Sequence, residues 1–544
     1  MQRSRNFSMQ TSFKHKMSYD SDMFNIESVQ NLDSYCFVQN ENLENYSSSD
    51  NSSHSNYPSF QGLDQYSNFD SSNNSPVSKL QSNSYAFTSP NSLEIINDLL
   101  ENELCSTHTQ DDLWHKTREL ENAMLGHDAA DILDIYNDMV MIPEESESDP
   151  LLLEAEKWKK MMEMISKGDL KEMLFTCAKA ISENDIETTE WLMSELSKMV
   201  SVSGNPIQRL GAYMLEALVA RIASSGSIIY KSLRCKEPKP ATSKELLSHM
   251  HVLYEICPYL KFGYMSANGV IAEALKDESE VHIIDFQINQ GIQWISLIQA
   301  LAGKPGGPPK IRITGFDDST SAYARGGGLD IVGERLSKHA QSCNVEFEFH
   351  AIGANPTEVK LEDLKLRRSE AIAVNFAMML HHVPDENVHG GQNHRDRLVR
   401  LVKCLCPKVV TLVEQESNTN ELPFLPRFVE TMNYYLAVFE SIDVSLPREH
   451  RERINVEQHC LAREVVNLVA CEGAERVERH EVLKKWKSCF TMAGFTPYPL
   501  SSYINFSIKN LLESYQGQYT LEEKDGALYL GWMNQALITS SAWR

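Results

Sequence analysis

A chain of 544 residues with 42% hydrophobic composition has material for a sizeable core and room for two or three domains. Its formal charge of −24 argues against a broad phosphate-gripping face, because a protein that holds DNA on its own surface must neutralise phosphates. No apolar run approaches the roughly 18 residues that a membrane span needs, and eleven scattered cysteines without a CxxC pair fit a reducing compartment.

The N-terminus, MQRSRNFSMQTSFKHK, has no apolar stretch behind its basic residues, so no secretory signal is expected. Residues 1–90 are dominated by Ser, Asn, Asp, Gln and Tyr, as in YSSSDNSSHSN from Tyr46. Such a segment buries too little apolar area to offset its ordering entropy, and the reading is a disordered tail. Within 91–150, Leu93, Ile96, Leu99, Leu100 and Leu104 step like one helix face, and the acidic PEESESDP at 143–150 reads as a linker.

From 151 to 280 the periodicity is helical. Leu170, Leu174, Cys177, Ala178 and Ile181 step by threes and fours, as do Ile207, Leu210, Met214, Leu218 and Ile222. A third set is Leu246, Met250, Leu253 and Ile256. Each helix is too short to stand alone, so together they form a helical cap packed on itself or on another surface. The stripe through Leu170 and Leu174 is the candidate partner-binding surface, with burial in the cap's own core as the competing reading.

Residues 281–544 change period. VHIIDF from Val281 is a continuous apolar run, the mark of a strand buried on both faces. Similar runs follow at 310–316, 345–352, 370–379 and 408–415, with helical stretches between them. Strands alternating with helices imply right-handed crossovers and a parallel sheet. Near the C-terminus, YTLEE and ALYLGWMNQALI flank Asp525-Gly526, a tight hairpin signal. The expected fold class is therefore α/β: a Rossmann-like, methyltransferase-like doubly wound sheet with a C-terminal antiparallel hairpin, a helical cap and a disordered N-terminal tail.

A nucleotide-type cofactor needs glycines where the first strand turns into its helix. Two, four and six residues after Asp285 stand Gln287, Asn289 and Gly291, so two of three positions carry side chains that fill the space. Asp317 and Asp318 sit where an acid could grip a ribose, but capping the next element is the preferred reading. His381 and His382 lie at the end of a strand run, where neighbours point to opposite sides, and no acid or cysteine stands at ligand spacing. They read as a packed pair. ARGGGLD at 324–330 lacks a Walker-type Lys-Ser/Thr and reads as a turn. No catalytic residue, no cofactor and no metal site is expected.

Val281-His282-Ile283-Ile284-Asp285 resembles the VHIID signature of the GRAS family, and it stands between two regions resembling that family's leucine-rich repeats, Leu170–Ile222 and Leu329–Leu364. Pro426, the aromatic stretch with Tyr434 and Tyr435, and Arg463-Glu464 resemble the PFYRE region. Trp486, Gly494, Trp532 and Ser541-Ala542-Trp543 resemble the SAW region. EAEKWKKMM, LVACEG and RVERHEVLKKWK resemble the branch related to phytochrome A signal transduction.

This resemblance implies a plant transcriptional regulator, not an enzyme, acting in the nucleus and also in the cytoplasm for some of the branch. Implied partners are zinc-finger transcription factors and a GRAS homo- or heterodimer, with DNA contacted indirectly. A direct DNA-binding factor and an S-adenosylmethionine-dependent methyltransferase or small-molecule sensor are the alternatives. Each motif also has a structural reading. Val281, Ile283 and Ile284 are core positions, leaving His282 and Asp285 to face a partner or cap a helix. Arg463 and Glu464 are neighbours that must pair elsewhere, across the junction of cap and core, and the tryptophans are buried anchors.

Overall fold

Side-chain caps set the starts of the first helices. The computed structural model describes residues 150–227, 249–317, 328–388, 393–515 and 517–544, so the expectations for 1–149, Leu246, Asp318 and 324–327 lie outside it. Helix α1 spans Pro150–Lys167, α2 Leu170–Ser182, α3 Ile186–Met199 and α4 Pro206–Ile222. The Asp169 side chain accepts from Glu172 N–H, Asp185 from Thr188 N–H, and Asn205 and Gln208 form a reciprocal capping box. Leu170, Met173, Leu174, Cys177 and Ala178 of α2 are all buried. The stripe proposed as a docking surface is thus the cap's own core, because α2 is covered by α3 and α4.

After a helical stretch at 249–256 and α5 (Tyr259–Ala274), the chain enters an eight-stranded sheet. Its strands are β1 (Glu280–Asp285), β2 (Lys310–Phe316), β3 (Phe347–Ile352), β4 (Ala371–Ala377), β5 (Val409–Gln415), β6 (Tyr519–Lys524), β7 (Ala527–Trp532) and β8 (Gln535–Trp543). They lie in the order β3-β2-β1-β4-β5-β8-β7-β6. The first five are mutually parallel, and β8, β7 and β6 add as an antiparallel meander. Four of the five parallel strands are buried along nearly their whole length, whereas the edge strand β3 is half-exposed. Helices α6 (Ile292–Ala302), α7 (Leu329–Ser342) and α8 (His394–Cys404) provide crossovers between strands.

Two details differ from expectation. The single strand read at ALYLGWMNQALI is two, β7 and β8, because the backbone reverses at Met533, whose φ is +51°. A hairpin is therefore a three-stranded meander, with Asp525 (φ +54°) and Gly526 (φ +75°) forming the first turn. In addition, the cap is not confined to 151–280. Helices α9 (Phe424–Asp443), α10 (Arg451–Val456) and α11 (Ala462–Ala470) leave the sheet after β5, and α9 and α11 pack on α4.

Arg209 of α4 secures that return. Fully buried, it donates to Glu457 Oε1 at 3.1 Å, Asp443 Oδ1 at 2.6 Å and the Phe439 carbonyl at 2.9 Å. Arg453 donates to the other oxygen of Glu457. Burial pushes the Glu457 pKa up, against the pull of these two guanidinium groups.

The last residues close the sheet. Strand β8 pairs with β5 on one side and β7 on the other, while Thr496 and Arg544 exchange both backbone hydrogen bonds at 2.9 Å. Trp543 stacks on Phe490, a residue of α12 (Leu483–Met492), at 5.0 Å between ring centres. Helix α13 spans Ser502–Glu513. None of the described helices is long and apolar enough to cross a membrane.

Two stability outcomes follow from this packing. Trp543→Ala should lower the unfolding free energy by about 3–5 kcal/mol in denaturant titrations, while Phe506→Ala, at an exposed site, should change it by less than about 0.5 kcal/mol. Arg209→Met should cost about 3–5 kcal/mol by stranding Glu457, and pairing it with Glu457→Met should recover much of that loss.

Candidate functional site

Between β1 and β4 the strand order reverses direction, and the crevice beyond their carboxyl ends is where open α/β sheets bind ligands. Here β1 ends at Asp285, and the chain turns through 286–291 into α6. The Asp285 carboxylate is buried and fully engaged. Its Oδ1 accepts from Gln287 N–H and Asn375 Nδ2, both at 3.2 Å, and its Oδ2 accepts from Trp294 Nε1 at 2.7 Å. Burial raises its pKa to about 6 despite those three donors.

Further side chains pack around it. Phe286 stacks between Phe316 and Phe376, at 4.8 and 5.0 Å. Ile288 lies on Gly315, where an added Cβ would come within 2.6 Å of its Cδ1. A buried amide ladder runs from Asn268 through Gln293 and Asn375 to Thr411. These polar groups point at one another. Gly291 retains the left-handed backbone (φ +70°) of a phosphate-cradling turn, but an added Cβ would meet Val332 of α7 at 2.9 Å. Glycine is needed there for helix packing and backbone conformation. Asp317 follows β2 and is half-buried, its N–H donating to the Ile352 carbonyl.

Most of the remaining motif residues are buried as well, with Gly494 exposed and Pro426 half-buried. Val281, Ile283 and Ile284 lie in the core as expected. His282 is fully buried rather than presented to a partner. An Arg guanidinium only donates, so the 2.9 Å contact from Arg312 Nη2 makes Nδ1 the acceptor and leaves Nε2–H to donate to Thr314 Oγ1 at 2.7 Å. Burial, with Arg312 adding to it, lowers the His282 pKa to about 3, and Arg312 is in turn held by Glu370.

Arg463 and Glu464 sit on α11 at the junction of cap and sheet. Glu464 accepts from Tyr435 Oη of α9 at 2.5 Å and from Gln415 Nε2 at the end of β5 at 3.4 Å. Tyr434 donates to the Leu537 carbonyl of β8 at 2.9 Å. Trp486 lies under the Arg395 guanidinium at 4.8 Å. Gly494 takes φ +89°, Trp532 is buried, and Ser541 Oγ accepts from Trp543 Nε1 at 3.1 Å beside Ala542.

His381 and His382 depart most from expectation. They lie in a 3-10 turn, Leu380–His382, that places their ring centres 4.0 Å apart instead of on opposite faces. The acid that local spacing did not supply arrives from 96 residues away: Glu478 Oε2 is 3.4 Å from His381 Nε2 and 3.1 Å from His382 Nε2. Glu414, at the end of β5, accepts from His381 Nδ1 at 2.5 Å. Burial disfavours the His381 imidazolium, yet Glu414 and Glu478 outweigh it and push its pKa up to about 10.

With this geometry in view, the comparison with known proteins is direct. The pattern of the GRAS domain family matches residues 170–544. The chain belongs to the GRAS family. It is 70% identical over 383 residues to Scarecrow-like protein 5 of Arabidopsis thaliana, covering 70% of this chain and 64% of that one. The chain thus spans a little under two thirds of that relative. It is 62% identical over 441 residues to Scarecrow-like transcription factor PAT1 of the same plant, covering 81% and 88% of the two chains. Among solved structures, SCL7 of Oryza sativa superposes with a TM-score of 0.59 at 32% identity, covering 69% of this chain and 99% of that one. The GRAS fold here is the expected Rossmann-like sheet with a helical cap.

The titration of Asp285 offers a check on the filled crevice. Its pKa of about 6 in the folded chain stands above the ordinary 3.8, so folding takes up a proton between these values. Wild-type stability relative to Asp285→Asn should rise as pH falls through that window and stay level above it, measured as denaturant midpoints. A flat difference would mean that the carboxyl is solvated.

Proposed function

We propose that this GRAS protein is a plant transcriptional regulator that works through contacts with other proteins and not by catalysis. The observation that carries the reading is the crevice between β1 and β4, occupied by Asp285, Trp294, Gln293, Asn375 and the phenylalanine stack. A methyl donor needs space beside Asp285 and open donors around it, and those volumes hold packed side chains. Similarity to a chain named as a transcription factor supports the regulatory class.

The charge of −24 supports recruitment to DNA through a partner, since an acidic protein repels phosphates. Zinc-finger transcription factors and a second GRAS chain are the partners implied by family resemblance. The nucleus, with the cytoplasm as a second location, is the implied site of action. A role in phytochrome A light signalling rests on the segments EAEKWKKMM, LVACEG and RVERHEVLKKWK.

Titration calorimetry of the purified chain with S-adenosylmethionine should show no heat of binding, and a short promoter duplex should bind weakly at physiological salt. Saturable S-adenosylmethionine binding would return the enzyme reading. Tight duplex binding by the chain alone would overturn partner dependence.

A further inference from the structure

The His381 cluster has the composition and spacing of a metal centre. Ligand nitrogens and oxygen of His381, His382 and Glu478 lie within 4.8 Å of one another. A tetrahedral ion with bonds of about 2.0–2.1 Å spaces its ligand atoms about 3.3–3.4 Å apart. The measured separations from Glu478 Oε2 are 3.4 Å to His381 Nε2, 3.1 Å to His382 Nε2 and 3.7 Å to His480 Nε2. Three imidazole nitrogens thus converge on one carboxylate oxygen.

Two further observations point to a ligand. His480 is 1% exposed, and neither of its ring nitrogens makes a hydrogen bond, although its backbone N–H and carbonyl are both paired with 419–420. Its ring packs between His381, at 4.7 Å, and Tyr434, at 6.4 Å. Meanwhile Glu414 accepts the Nδ1 proton of His381 and is itself fixed by the Met379 and Leu380 N–H groups at 3.1 and 2.7 Å. A carboxylate that fixes the ring orientation of a ligating histidine is the usual outer support of a zinc site, and it turns Nε2 towards the ion.

We propose that His381, His382 and Glu478 bind a divalent transition-metal ion of the zinc class, with the buried His480 ring packed beside it. Imidazole and carboxylate donors at tetrahedral spacing suit zinc. Two of the three ligands are buried and they come from segments far apart in the chain, so the role assigned to the site is structural. It ties the turn after β4 to the 476–481 segment that joins α11 to α12, at the carboxyl end of the sheet. Those two stretches are far apart in sequence, and a shared ion would make the second conditional on the first.

The test is metal analysis of the full chain, purified without chelator and without a histidine tag. About one zinc ion per chain is expected by mass spectrometry, and adding zinc chloride to chelator-stripped protein should raise its thermal midpoint. His382→Gln, at the half-buried ligand, should abolish both effects while keeping the far-ultraviolet spectrum of a folded chain. This also discounts zinc held by the exposed Cys404 and Cys406. Glu414→Gln should weaken zinc binding by about 10–100-fold. A folded, zinc-free wild type whose midpoint does not move with zinc chloride overturns the site. So does a His382→Gln chain that retains wild-type zinc affinity. If His382→Gln fails to fold, the wild-type zinc content and midpoint response decide alone.

Discussion

One carboxylate stands where three parts of the chain must meet. Asp285 closes the turn after β1 through Gln287, receives α6 through Trp294 and joins β4 through Asn375. A buried carboxylate left with open valences costs several kcal/mol, so these three donors are what make the position tolerable. The Asp285, Gln293, Trp294 and Asn375 side chains are engaged with one another at the switch point of the sheet. The buried network makes this end of the sheet a solid frame.

That frame is completed by distant chain segments. Strand β8 lies between β5 and β7, and the helices after β5 return to the cap, where Arg209 meets Glu457 and Asp443. Cap and sheet are therefore interleaved along the sequence. Motif residues in the second half of the chain hold this junction: Tyr434 reaches β8, and Glu464 bridges α9 and β5. Their burial makes them structural before they are anything else, and damage to them should spread through the whole fold.

Buried polar groups of this kind are costly alone and cooperative together. The histidines around Glu478 extend the same logic. His381 is held between two acids, and His480 sits beside it with its ring nitrogens unbonded. A positive charge at His381 faces Glu414 on one side of the ring and Glu478 on the other.

Much of the architecture was legible from local pattern. Apolar runs marked β1 to β5 to within two residues at each end, and periods of three and four marked α2 and α4, because burial on two faces or on one stripe leaves its imprint on neighbouring residues. Tertiary structure alone decided the rest. It turned Leu170 and Leu174 inward, since an apolar stripe does not say whether its cover comes from the same chain. It split the final apolar stretch at Met533, where only the backbone shows the reversal. It also brought Glu478 to His381 and His382 across 96 residues. Sequence spacing reports on side chains that share one element, whereas a site assembled from three segments exists only once the sheet has drawn them together.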